Sequence, residues 1–173
     1  MSNIVLIGFM GVGKSTVGMQ LAEILGMSYI DTDQMIEEME SKTISEIFSE
    51  EGESHFRYLE SSLIKNSNFQ NSVISVGGGM PCFNDNLEGL KKIGTTIYLK
   101  ISAKNLAERL WVGRKKRPLI KDVKSIDELE AYISSLLDER EKYYSLADIL
   151  LDVNGQASCE ILQELSIIVK NLK

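Results

Sequence analysis

The chain is predicted to be an α/β protein of three layers, a central parallel sheet of five strands with helices on both faces. Short β-rich runs alternate with longer stretches of helical period, the pattern that packs helices over a buried parallel sheet. The first such run leads at once into a glycine-rich turn and then a helical stretch, a strand-turn-helix unit. Finally, 173 residues, 43% of them apolar, can bury a sizeable core. Only Pro81 and Pro118 interrupt them, with no repeat or low-complexity stretch, so one domain over 1–173 is expected.

The strand runs are Ile4 to Ile7, Ser28 to Ile30, Val73 to Val76, Thr95 to Ile101 and Ile149 to Val153. Val17, Leu21, Ile24 and Leu25 mark the buried face of the first helix, and Met35, Ile36 and Met39 belong to a second. Thr43 with Glu46 forms a capping box that opens a further helix. Phe56, Leu59 and Leu63 mark another helical face. Ser125 with Glu128 repeats the box and starts a helix reaching roughly to Tyr144, with Ile126, Leu129, Ile133, Leu136 and Leu137 on its buried side. Ile161, Leu162, Leu165, Ile168 and Val169 give the last helix.

Composition narrows the function. Nineteen Lys and Arg against twenty-five Asp and Glu leave a net charge of −6, which argues against nucleic-acid or anionic-membrane partners and makes any basic site local. Cys82 and Cys159 are too few for a disulfide framework or a four-ligand zinc site. The lone His55 has no nucleophile-elbow motif to serve, which disfavours a Ser-His-Asp hydrolase. Met1-Ser2-Asn3 carries no basic leader, and no apolar run approaches a bilayer span. The expectation is a cytosolic protein in which both thiols stay reduced.

The strongest chemical signal is Gly8-Phe9-Met10-Gly11-Val12-Gly13-Lys14-Ser15, which fits G-x-x-x-x-G-K-[ST] at every defined position and lies between a strand and a helix. Backbone amides over Gly11, Val12, Gly13, Lys14, Ser15 and Thr16, with the positive helix end, can wrap the phosphates of ATP. Lys14 would reach the β and γ phosphates, and the Ser15 hydroxyl would hold the accompanying Mg²⁺. Asp31-Thr32-Asp33 follows the second strand, at the carboxyl edge where parallel sheets bind ligands. Asp31 would sit nearer the metal and Asp33 could hold and deprotonate an acceptor hydroxyl, although one of the two is also a natural helix N-cap. Gly77-Gly78-Gly79 ends the third strand at the same edge, where backbone can touch a ligand.

Gly52-Glu53-Ser54-His55-Phe56-Arg57-Tyr58-Leu59-Glu60, taken with the phosphate loop, the Asp-x-Asp pair, the triple glycine and Arg117-Pro118-Leu119, resembles shikimate kinase over almost the whole length. The resemblance implies strand order 2-3-1-4-5 and transfer of the γ-phosphoryl of MgATP to the 3-hydroxyl of shikimate. It makes 33–62 a substrate-binding region and 112–124 a lid that orders over nucleotide. Arg57 and Arg140 match the arginines on the substrate carboxylate, a bidentate task that suits a guanidinium, with Glu60 bracing Arg57. Each of these cations could instead be an ordinary surface pair or helix-end charge. Asp33, Gly78 and Gly79 would meet the ring hydroxyls, Ser75 would lie near the metal's waters, and Arg117 would reach the transferring phosphoryl group. Arg109 matches an arginine stacked on adenine. The loop 153–157 lacks the proline and basic residues of the family, and Met19 replaces an arginine that is usual there. All of these groups are expected in one cleft. Two other readings remain: a P-loop kinase of another sugar acid such as gluconate, and a non-catalytic nucleotide-binding regulator.

Overall fold

The computed structural model describes residues 2–113, 120 and 122–172. In chain order these form β1 (Asn3–Ile7), α1 (Lys14–Leu25), β2 (Ser28–Asp31), α2 (Thr32–Glu40), α3 (Ile44–Glu50), α4 (Gly52–Asn66) and β3 (Ser72–Ser75). A 3-10 turn (Met80–Cys82) then leads to α5 (Asn86–Ile93), β4 (Gly94–Lys100), α6 (Ala103–Trp111), α7 (Ile126–Tyr144), β5 (Ile149–Asp152) and α8 (Ser158–Asn171). All strand pairs are parallel, in the order β2-β3-β1-β4-β5. Fold class and strand order are those the sequence predicts, with strand ends moved by a residue. Helices α5 and α6 had no face or cap assigned to them.

Alternation along the central strand builds two cores at once. Ile4 and Leu6 of β1 face one side, packed with Val17 and Leu21 of α1, Leu106 of α6 and Leu165 of α8. Val5 and Ile7 face the other side, packed with Ile36 of α2, Phe56 of α4, Leu90 of α5 and the ring pair Tyr98–Tyr144. Asn3 is a buried polar residue and is fully engaged. Its Nδ2 donates to the carbonyls of Phe69 and Ile93, and its Oδ1 accepts from the Ser72 amide, which pins the start of β1 between β3 and β4.

Two face assignments are corrected. Ile24 is 55% exposed, because the buried stripe of α1 is centred on Gly18, Leu21 and Ala22 and leaves Ile24 about a quarter turn away. Ile126 occupies the exposed first turn of α7, ahead of the packed face that begins at Leu129. Of the two capping boxes, Thr43–Glu46 forms in both directions. At Ser125 the hydroxyl accepts from the Glu128 amide, but the Glu128 carboxylate reaches one residue further back, to the Lys124 amide. Among the described residues, no helix is long and apolar enough to cross a membrane.

Candidate active site

The carboxyl ends of β1, β2 and β3 place three turns side by side. After Ile7 the chain turns into α1 over Gly13, whose φ of +107° lies in the left-handed region that a side chain resists. No side chain caps this helix, so its first-turn amides face a cavity of about 380 Å³ whose lining includes Lys14, Ser15, Asp31 and Asp33. Lys14 folds back within its own loop, and its Nζ donates to the carbonyls of Gly8 (2.8 Å) and Phe9 (3.1 Å). Burial lowers the Lys14 pKa to about 8, against the opposing pull of Asp33 and Asp31.

Asp31 does two jobs with two oxygens. Oδ1 caps α2 by accepting from the amides of Asp33 (3.1 Å) and Gln34 (3.5 Å). Oδ2 accepts from the Ser15 hydroxyl (2.9 Å) and the Tyr29 hydroxyl (3.2 Å). The two residues predicted to meet the metal are thus in direct contact. Their hydroxyl and carboxylate oxygens are the hard donors Mg²⁺ takes, and two protein ligands fit an ion that shares the rest of its shell with phosphate and water. Asp33 points its Oδ1 into the interior, where it is buried without a hydrogen-bond partner. Burial, aided by the Asp31 charge, raises the Asp33 pKa to about 6, while Lys14 and Arg57 pull it down.

The triple glycine is the floor on which the site is assembled. A β-carbon on Gly77 would lie 2.4 Å from Asp33 Oδ1, one on Gly79 would lie 2.7 Å from Arg57 Nη1, and one on Gly78 would lie 3.6 Å from Arg140 Nη1 and 3.2 Å from the Met10 amide nitrogen. The space missing at Gly77 is taken by the Asp33 carboxylate and that at Gly79 by the Arg57 guanidinium, while Gly78 packs against the phosphate-loop backbone with Arg140 in van der Waals contact. Gly77 belongs to the predicted triple glycine but not to its expected substrate contacts, yet it makes the closest of these approaches.

Arg57 is held on several sides. Its Nη1 donates to Glu60 Oε2 (2.8 Å), and its Nε and Nη2 both donate to Glu53 Oε1 (3.2 and 2.9 Å). Glu60 is fully buried, so the Arg57–Glu60 contact is not a surface pair. Burial raises the Glu60 pKa to about 7 while the guanidinium opposes that rise. The Arg57 carbon Cζ lies 4.1 Å from the Phe83 ring centroid. Arg140 lies in the penultimate turn of α7, 5.1 Å from the ring centroid of Phe9 in the phosphate loop. Four residues on, the buried Tyr144 hydroxyl donates to the Gly78 carbonyl. The Tyr98 hydroxyl donates to Glu141, which also pairs with Lys100 at 2.6 Å, so the end of α7 is tied to β4.

The expectation of a single cleft is corrected. Lys14 and Asp33 line the first cavity, whereas Arg57 and Arg140 line a second of about 510 Å³, and the glycine turn adjoins both: Gly78 lines the first, while Gly78 and Gly79 lie against Arg140 and Arg57 of the second. The halves still sense each other: Arg140 lowers the Lys14 pKa and Arg57 lowers that of Asp33.

Arg109 spans the far end of the phosphate loop, with Nη1 donating to the Val12 carbonyl (3.1 Å) and Nη2 to the Gln156 carbonyl (2.9 Å). It thereby links the phosphate loop to 153–157. Ser75 is buried, and Met19 is exposed on α1. Arg117 and most of 112–124 lie outside the described residues. The sequence reading gave no site role to Tyr144 or Phe83 and missed the contact of Glu53 with Arg57. A Glu four residues before an Arg on a helix could have flagged the last.

A phosphate loop at the end of the central strand, a sheet of order 2-3-1-4-5 and a carboxylate opposite the loop lysine define a P-loop kinase of small molecules. The sequence model of the shikimate kinase family matches residues 10–170. A shikimate kinase of Parabacteroides distasonis is 43% identical over 153 residues, 88% of each chain. The structure of a Bacteroides thetaiotaomicron shikimate kinase superposes with a TM-score of 0.89 at 35% identity, covering 98% of both chains. That of the Acinetobacter baumannii enzyme, solved in complex with shikimate, superposes at 0.87 and 33%, covering 99% of this chain and 94% of that one. The chain belongs to the shikimate kinase family, ATP- and Mg²⁺-dependent enzymes that phosphorylate a hydroxyl of shikimate.

Proposed function

We propose that this chain transfers the γ-phosphoryl of MgATP to the 3-hydroxyl of shikimate, as a single-domain monomer in the cytosol without nucleic-acid or membrane partners. The observation that carries the reading is the glycine floor, which brings Asp33, Arg140 and Arg57 against three consecutive residues. An acid with ring hydroxyls needs that pairing of two fixed cations with a hydroxyl acceptor. Gluconate is also a hydroxy acid, so the arginine pair does not choose between the two; the 43% identity to a shikimate kinase favours shikimate. A non-catalytic regulator would need no carboxylate with a buried, unpaired oxygen in the cavity of Lys14.

In this reading the amides of residues 11–16 bind the phosphates, and Lys14 exchanges two loop carbonyls for phosphate oxygens. Ser15 and Asp31 hold Mg²⁺, which supplies charge neutralisation on the phosphates. Arg57 and Arg140 fix the shikimate carboxylate, with the 33–62 region carrying the first of them, and the backbone of Gly78 and Gly79 meets the ring. Asp33 orients the acceptor hydroxyl and takes its proton as the oxygen–phosphorus bond forms. Arg117, in the 112–124 lid, stabilises the transferring group, and Arg109 faces the adenine. The test is ADP release in a coupled assay. Release that depends on shikimate, and not on gluconate, supports the reading; release indifferent to shikimate overturns it.

A further inference from the structure

Phe83 is 39% exposed, lines the cavity of Arg57 and Arg140, and belongs to neither hydrophobic core. Its ring centroid lies 4.1 Å from Arg57 Cζ, closer than Phe56 at 5.4 Å. The backbone is built to put it there. The next two residues, Asn84 and Asp85, both take left-handed conformations (φ +52° and +56°), which bend the chain sharply back towards α4. Asn84 Nδ2 then donates to Ser61 Oγ (3.1 Å) and reaches the Arg57 carbonyl (3.5 Å), and the Asn86 amide closes the turn on the Phe83 carbonyl (2.9 Å). The turn that carries the ring is thus fastened to the helix that carries the arginine, one residue of it on Arg57 itself.

We infer that Phe83 is a positioning residue for the acid-binding arginine: its ring covers a face of the Arg57 guanidinium, fixes its plane and leaves donors at its edge for a small carboxylate. The inference rests on the assignment of Arg57 to the substrate carboxylate. Glu53 and Glu60 restrain the guanidinium in its plane through three N–H groups, and Gly79 leaves room for it. Rotation of that plane is what the hydrogen bonds restrain least and an aromatic face restrains best.

The experiment is steady-state kinetics of Phe83→Leu, Phe83→Met, Phe83→Tyr, Arg57→Ala and the double variant Arg57→Ala/Phe83→Leu, each checked by thermal melting. Phe83→Leu and Phe83→Met are expected to raise KM for shikimate about three- to tenfold, with kcat and KM for ATP within about twofold, and Phe83→Tyr to restore it. In the Arg57→Ala background, Phe83→Leu should add less than about twofold. Unchanged KM in both aliphatic variants overturns the inference, as does a Tyr variant as impaired as Leu or a full extra effect in the double variant. If Arg57→Ala itself leaves shikimate KM unchanged, the assignment of Arg57 fails, and the inference fails with it; a raised KM there with unaffected Phe83 variants defeats the inference alone.

Discussion

The phosphate-binding half and the acid-binding half of the site are made in opposite ways. The first is one continuous segment, residues 8–16, whose ligands are largely backbone amides and whose geometry follows from local conformation. The second draws single side chains from α2, α4 and α7 onto a floor supplied by the turn after β3. A site made of backbone needs the right φ, whereas a site made of side chains needs three separate elements to arrive at once. The acid-binding half should therefore fail selectively, leaving nucleotide binding intact.

The largest effect is expected at the seam between the halves. Asp33→Asn should lower kcat about a thousandfold while an ATP analogue still binds, read by single-turnover kinetics and titration; retained turnover would remove Asp33 from the proton-transfer step. The same variant should be more stable than the parent at pH 7. The Asp33 pKa is raised from 3.8 to about 6, so its charge is harder to form in the folded state than in the unfolded chain. Its contribution to stability is intact below about pH 4 and falls as pH rises through 6, on the order of 2 kcal/mol. Melts at pH 4 and pH 7 should show the advantage of Asn only at the higher pH.

Gly79→Ala sharpens the comparison most cleanly. Gly79 sits at φ −85°, ψ −22°, which any residue adopts, so the added methyl costs nothing in the backbone, and its three nearest neighbours all belong to the Arg57 guanidinium. The fold should survive and shikimate KM rise about tenfold or more, with ATP KM unchanged; an equal loss for both substrates would mean that the floor does not belong to the acid half. A smaller effect concerns pH: kcat/KM for shikimate should climb through about pH 6 as Asp33 ionises, a limb absent from the residual activity of Asp33→Asn. The smallest is Tyr144→Phe, which removes the hydroxyl that holds the Gly78 carbonyl and should cost a few-fold in shikimate KM with little change in nucleotide affinity. A selective rise in ATP KM would assign that bond to the phosphate loop instead.

Sequence by itself determined the strand-helix alternation, the phosphate loop, the Asp31-Thr32-Asp33 pair, the triple glycine and the Arg57–Glu60 brace. Each is a pattern within a few residues, and local chain geometry converts it directly into position. Tertiary structure alone decided that the glycines lie against three different side chains, that the arginines line a cavity apart from that of Lys14, and that Tyr144 and Phe83 steady the site. Those facts depend on contacts such as Tyr144 to Gly78, 66 residues apart. Distances of that kind are set by how two packed layers of helices meet one sheet, and no spacing along the chain encodes them.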